Sequence, residues 1–306
     1  MSRRVRVFQV DAFTSQRFCG NPAGVVLDAD ALTEPEMRAL ARELNGGDTA
    51  FLLQADAPDH DLRVRFFNPR GEAAFVGHAT LAAHAVLAAV GLAPRPRQKQ
   101  KSGLVEVETL CTAPPRIAIR QPPPRLDRVL EPEQLESVLE ALALEREDLD
   151  PRCPAMIAGA SSTRLLIGVR GPEVLGRVRA DLKRLAHLSP QIGAPGYFLF
   201  ALQFSAHGLD TQARMFCPAL GIDEDPVSGN AHALLGTYLL HHGLIELTAA
   251  AASADSDTIA FTGAQGQYVG RPGRVAVTLE FAQHLLRSVS ISGEAVIVFA
   301  TAIDFP

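Results

Sequence analysis

Lysine is nearly absent: it occurs only at Lys99, Lys101 and Lys183, and the remaining cations are arginines. None of the three sits in a motif, which argues against a lysine Schiff-base mechanism. Cysteine is scarce too, at Cys19, Cys111, Cys153 and Cys217. With no Cys-x-x-Cys pair, neither a zinc knuckle nor a disulfide framework is expected. The net charge is −5, and the only local basic run, Arg95 to Lys101, reads as a solvated loop. Nucleic acid is therefore not an expected partner. No window of 18 apolar residues exists, so no membrane span is expected. There is no Gly-x-Gly-x-x-Gly, no phosphate-binding Walker loop, and no metal-ligand histidine spacing beyond the adjacent His241 and His242. No nucleotide, flavin or metal cofactor is expected. The N-terminal run to Phe8 alternates like a strand and lacks the apolar core of a signal peptide, so a cytoplasmic location is expected.

What is present is a repeat. The 306 residues, 47% hydrophobic and 21% charged, suit a globular chain of two domains of roughly 150 residues each. Arg65-Phe-Phe67-Asn-Pro69 returns as Arg214-Met-Phe216-Cys-Pro218, 149 positions later. Gly77-His78-Ala79 returns as Gly229-Asn230-Ala231, 152 positions later, as does the closing Gly91-Leu92 in Gly243-Leu244. A three-residue insertion in the second loop reconciles the two offsets. The shared unit reads strand, acidic loop, helix. Both helices are apolar almost all round, which places each inside a core. Asp48-Thr-Ala-Phe51 and Pro195-Gly-Tyr-Phe198 align upstream as strands, with an offset of 147. The expected fold is α+β: two similar halves, each a mixed sheet or barrel around a central helix. The expected boundaries are 1–122 plus 290–306 for the first half and 123–289 for the second.

Around this unit, Thr33-Glu-Pro-Glu36 predicts a capped helix running to about Leu44, ended by Asn45-Gly46-Gly47. Amphipathic surface helices are predicted from Glu133 to Glu147 and from Glu173 to His187. Pro114-Pro115 and Pro122-Pro-Pro124 are expected to bracket a crossover. Arg287 to Phe305 predicts two strands around Ser292-Gly293.

The glycine-led helix starts are the first candidates for chemistry. A buried helix N-terminus offers unpaired N–H groups and partial positive charge. Two such starts meeting at a repeat axis would suit a carboxylate, although glycine also simply permits tight packing. His78 and Asn230 hold equivalent positions, and either could be a capping residue. Glu224-Asp225-Pro226 precedes the second helix. A carboxylate there is favoured electrostatically, and a buried one could donate a proton. Asp48 is either a turn aspartate or an acid/base at a strand edge. Cys19-Gly20-Asn21-Pro22 looks like a racemase cysteine motif but lies away from both helix starts, where Val76 and Ser228 occupy the thiol positions.

Taken together, several pieces resemble the phenazine-biosynthesis isomerase family, within the diaminopimelate epimerase-like fold. They are Phe8-Gln-Val-Asp11-Ala-Phe13, Gly20-Asn21-Pro22, Asp48-Thr49-Ala-Phe51, Arg65-x-Phe67-x-Pro69, Gly77-His78-x-Thr80, Glu224-Asp225-Pro226-Val-Ser-Gly229 and Ser292-Gly293-Glu-Ala-Val. The resemblance covers essentially the whole chain. It implies a cofactor-free homodimer whose site lies between two similar domains, and isomerisation of trans-2,3-dihydro-3-hydroxyanthranilate by a proton shift. By the same resemblance Asp48 takes the place of the family's glutamate acid/base. His78 and Asp225 match its histidine and aspartate, and Asn230 stands for its serine. Asn21, Gly77, Thr80, Gly229 and Asn230 are expected to bind substrate. The Asp-for-Glu change retracts the carboxylate by one methylene, and a misplacement of about 1 Å can cost on the order of 100-fold in rate.

The expected function is thus a cofactor-independent proton shift on a small carboxylate, with no metal. The alternatives are an epimerase, whose second base would be Asp225 or Cys217, and a non-catalytic binding relative.

Overall fold

The computed structural model describes residues 3–44, 47–159, 163–205, 208–245 and 257–305. The first half of the chain runs β1 (Arg3–Ala12), β2 (Asn21–Leu27), α1 (Glu34–Leu44), β3 (Thr49–Gln54), β4 (Leu62–Asn68), β5 (Gly71–Ala73), α2 (Gly77–Ala89), β6 (Arg97–Gln100), β7 (Gly103–Thr112) and β8 (Pro115–Gln121). The rest runs β9 (Leu126–Val129), α3 (Pro132–Leu142), β10 (Met156–Ala158), β11 (Arg164–Val169), α4 (Pro172–Arg177), α5 (Leu182–Ile192), β12 (Gly196–Ser205), β13 (Gly208–Phe216), α6 (Gly229–His241), β14 (Asp257–Gln265), β15 (Gly273–Ala282) and β16 (Leu285–Phe305). Two compact units emerge: Met1–Gln121 with Ser292–Pro306, and Pro122–Ile291.

In the first unit, among the described residues, β1-β2-β3-β4-β6-β7-β8-β16 follow one another, and β16 pairs back onto β1. The ring of eight strands leaves no open edge. Its interior is filled by α2, which packs on β1, β2, β3, β7 and β8. Residues Ala79 to Leu87 are all buried, as an all-round apolar helix requires. Outside the ring, Met37, Leu40 and Ala41 of α1 close over Val5, Val7, Val26, Phe51 and Phe67. Strand β3 is covered on both faces, so Thr49-Ala-Phe51-Leu52 is buried without alternation.

The second unit repeats the plan. Strand β11 pairs parallel to β12, β12 antiparallel to β13, and β13 parallel to β14. In the first unit β2, β3, β4 and β6 follow the same sequence of directions. The inner helix is α6. Phe198 and Phe200 of β12 meet its His232 and Tyr238 edge-on, and Gly236 lies against Val277, Leu279 and Phe261. On the other sheet face, Leu139 and Leu142 of α3, Leu175 of α4 and Leu185 and Ile192 of α5 cover Leu165, Ile167 and Leu199.

The two inner helices match in detail. Each has 13 residues and ends on a residue at φ −91°, ψ 8°, Val90 and His242. Gly91 and Gly243 follow at φ 73° and 62°, where a β-carbon would be strained. The N–H groups of Leu92 and Leu244 then return to the carbonyls of Leu87 and Leu239, both at 2.9 Å, completing the same glycine C-cap.

Elsewhere the structure corrects the sequence reading. Residues 285–305 form one strand, not two: Gly293 is needed because a β-carbon there would meet the Phe13 ring at 2.6 Å, not because the chain turns. Glu173–His187 is two helices. The break at 178–181 comes from tertiary bonds, as the N–H groups of Arg179 and Asp181 reach the carbonyls of Leu142 and Ala141 at 3.1 and 2.7 Å. Asp181 then caps α5 through the Arg184 N–H. The helix expected to reach Glu147 stops at Leu142, where Ala143 takes a left-handed conformation. Between the two proline clusters lies not a crossover but β8, antiparallel to β7 with Pro115 opposite Thr112. Helix α1 forms as expected, and Glu36 accepts from the Thr33 N–H at 2.7 Å. Of its expected terminator, Asn45 and Gly46 lie outside the described residues.

Candidate active site

Asp48 is the residue before β3, and its carbonyl accepts from the Gly24 N–H at 3.1 Å. Strand register sets Thr49 opposite Phe67, so Asp48 falls across from Asn68. Asn68 Nδ2 donates to Asp48 Oδ1 at 3.0 Å. His78, the second residue of α2, brings Nε2 to 3.9 Å from Asp48 Oδ2, with the side chains 16% and 20% exposed. That is ion-pair distance and longer than a hydrogen bond. Val76, the residue before α2, provides no side-chain cap, so the helix start offers backbone donors to an anion. A half-buried carboxylate, a histidine and a helix N-terminus thus meet within one unit.

Thr80 does not join them. It is fully buried; its hydroxyl donates to the Val76 carbonyl at 2.9 Å and faces the Gln98 amide at 3.4 Å. The hydroxyl holds the first turn of α2 and is not available to a substrate. The polar chain continues from Gln98 to His84 Nε2 at 3.0 Å. Burial pushes His84 down to about 4, so it is neutral near pH 7 and takes no part in acid/base work there. Asn21 opens β2 opposite Ala12 and is 5% exposed.

Within the second unit, Asp225 sits three residues before Ser228, which caps α6 by accepting from the Ala231 N–H at 3.3 Å. The Asp225 N–H donates to the Met215 carbonyl at 2.8 Å. Gln265, also buried, clamps the loop from the other side: its Nε2 donates to the Asp225 carbonyl at 2.7 Å and its Oε1 accepts from the Ser228 N–H at 3.1 Å. Asp225 is half-buried, Gly229 is buried, and Asn230 stands half-buried at the helix start. Glu224 faces elsewhere, in a two-pronged bond to Arg214 at 2.7 and 2.9 Å. Cys217 is buried, and burial pushes its thiol up to about 12. It keeps its proton near neutral pH and is a poor candidate for a second base. Among the described residues no three of His, Cys, Asp and Glu gather closely enough to hold a metal ion.

Asn68 and Gln265 were missed in the sequence. Asn68 follows only from register: the antiparallel ladder pairs Phe51 with Arg65, which sets position 48 opposite 68. The matching ladder in the second unit pairs Leu199 with Arg214. The true counterpart of Phe51 is therefore Leu199 rather than Phe198, and that of Asp48 is Gly196.

Comparison with known proteins agrees with this fold. Residues 10–301 match the sequence profile of the PhzC-PhzF family, described as phenazine biosynthesis-like protein. An uncharacterized isomerase of Clostridium acetobutylicum is 35% identical over 302 residues, covering 98% of each chain. The uncharacterized isomerase YddE of Escherichia coli is 38% identical over 306 residues, covering 96% of each. The crystal structure of the Bacillus anthracis phenazine biosynthesis protein of the PhzF family superposes with a TM-score of 0.81 at 26% identity, over 98% of this chain and 99% of that one.

Proposed function

The chain belongs to the phenazine biosynthesis-like (PhzC-PhzF) family, and from that premise we propose that it is a cofactor-independent isomerase that shifts a proton within a small carboxylate-bearing substrate. The observation that carries the reading is the approach of Asp48 Oδ2 to His78 Nε2, 3.9 Å, at the start of a buried helix. In this reading the Asp48 carboxylate takes a proton from a carbon beside an unsaturated system. The electron pair moves through that system, and the proton returns from Asp48 to another carbon. Substrate and product differ only in where the proton and the double bond lie, so nothing is oxidised and no second reactant is needed. His78 orients a polar substituent and offsets the charge that develops. The N–H groups at the α2 start suit the substrate carboxylate. Family resemblance assigns Asp225 and Asn230 parts in the same reaction, and Asn21, Gly77 and Gly229 parts in binding. The reading includes a cytoplasmic homodimer.

An epimerase would need a second base. Gly196 at the counterpart of Asp48 and a protonated Cys217 leave only Asp225 for that role, which favours the single-base shift.

The test is to incubate the protein with trans-2,3-dihydro-3-hydroxyanthranilate in deuterated buffer, beside Asp48→Ala, following absorbance and deuterium uptake. Turnover that is lost in the variant supports the reading. A folded native chain with no turnover would remove this substrate, and unchanged turnover by the variant would remove Asp48 from its role.

A further inference from the structure

We infer that Asn68 is a positioning residue for the Asp48 carboxylate, fixing which of its two oxygens is left for proton transfer. The inference rests on the reading of Asp48 as the acid/base. Asn68 ends β4, and its amide orientation is set by the backbone: Oδ1 accepts from the N–H groups of Arg70 and Gly71 at 3.0 and 3.2 Å. A flipped amide would set NH₂ against two N–H donors. Nδ2 must therefore point the other way, where it donates to Asp48 Oδ1. The oxygen left over, Oδ2, is the one that faces His78. An aspartate with one oxygen held this way presents the other in a defined direction, which proton transfer requires.

The repeat argues that the pair is not part of the scaffold. What the fold needs appears twice. Arg65 binds Glu72 and lies 4.9 Å over the Phe67 ring, while Arg214 binds Glu224 and lies 4.9 Å over the Phe216 ring. The Asp48–Asn68 pair appears once. Its counterparts are Gly196 and Cys217, and a β-carbon on Gly196 would lie 2.5 Å from Arg164 Cδ and 2.8 Å from Cys217 Sγ. The same strand register is stable in the second unit with no side chain at all at the aspartate position.

Asn68→Asp tests the inference, because a carboxylate oxygen still accepts from Arg70 and Gly71 and so keeps the turn. A role confined to holding the turn predicts native melting and native kcat. The positioning role predicts two carboxylates in contact: kcat on trans-2,3-dihydro-3-hydroxyanthranilate falls at least about tenfold while KM changes little, and Tm falls by several degrees. Adding Asp48→Asn to Asn68→Asp restores the hydrogen bond with the charges exchanged, so Tm recovers while kcat does not. Native-like behaviour of Asn68→Asp, or a double variant no more stable than the single, would overturn the inference. The melting cycle needs no substrate. A native chain inactive on the trial substrate would therefore count against that substrate, while the cycle would still decide whether Asn68 governs the carboxylate.

Discussion

In the first unit the residue before β3 is Asp48, bonded to Asn68; in the second the equivalent place, the first residue of β12, is Gly196, walled in by Arg164 and Cys217. The surrounding frame is the same in both: an Arg–Glu pair beside a phenylalanine, a 13-residue buried helix and a glycine C-cap. The loop before the helix also differs at one informative place. Glu72 and Glu224 hold matching positions, but Asp225 aligns with Ala73. A duplicated fold separates structural from functional residues in this way, since packing constraints act on both copies and chemistry need act on only one. Glu224 belongs to the first class. Asp48, Asn68 and Asp225 are candidates for the second.

The strongest way to break this comparison is Asp48→Asn. Removing a general base without changing side-chain shape should lower deuterium incorporation on the order of 10³-fold, about 4 kcal/mol of barrier, with melting close to native. A large loss of Tm would instead make Asp48 a scaffold residue, and the asymmetry would lose its meaning.

Acid sharpens the comparison between the two cores. His84 in one and His232 in the other are both pushed down to about 4, chiefly by burial. His84 Nε2 bonds Gln98, whereas His232 Nδ1 donates to the Ser228 carbonyl at 2.8 Å and Nε2 has no partner among the described residues. The folded state excludes a proton that the unfolded chain binds below about 6.5. Stability from each histidine is therefore full above pH 6.5 and lost as pH falls towards 4, about 3 kcal/mol apiece. Urea unfolding at pH 7 and pH 4.5 should show this loss, and His84→Gln should flatten it by about one proton. An unchanged slope in His84→Gln would mean that its burial does not exclude the proton.

Gly196→Ala asks whether the second unit has room for what the first carries. A single methyl must displace Arg164, itself 7% exposed, at a cost of about 2 kcal/mol, read by thermal melting. Native melting would show that the missing carboxylate is not a matter of space.

Much of this frame was legible beforehand, for local reasons. Arg-x-Phe-x-Pro and Gly-x-Ala recur at nearly constant offsets, and runs such as Ala79 to Leu87 have no polar face to show to water, so the buried helices followed from composition. The misreadings share another cause. Ser292-Gly293 looks like a turn until the Phe13 ring is seen to occupy the β-carbon's place. Glu173–His187 looks continuous until Arg179 and Asp181 find acceptors on α3. Thr80 matches a family motif, and only burial shows that its hydroxyl faces inward. Asn68 went unnoticed because its role depends on the register of β3 against β4, which no single stretch of sequence carries. The surroundings of Asp48 and of Asp225 were likewise written in pairing, not in spacing.

The smallest expected effect lies in the repeated element itself. Arg214 and Glu224 are each 11% exposed in their side chains, while Arg65 and Glu72 are 32% and 17% exposed. Arg214 also donates to the carbonyls of Leu175 and Val178 at 2.9 and 3.3 Å and lies 4.7 Å from the Tyr268 ring centre. Arg65 has instead a second, exposed carboxylate, Glu34, at 2.8 Å. Removing one partner of a pair costs more as the charge left behind is less hydrated, and exposed pairs contribute little. Arg214→Met should therefore destabilise the protein by about 1 kcal/mol more than Arg65→Met, measured by urea unfolding at neutral pH. Equal losses would mean that hydration of the abandoned glutamate is the same in both copies, and that the two frames are closer in energy than their burial implies.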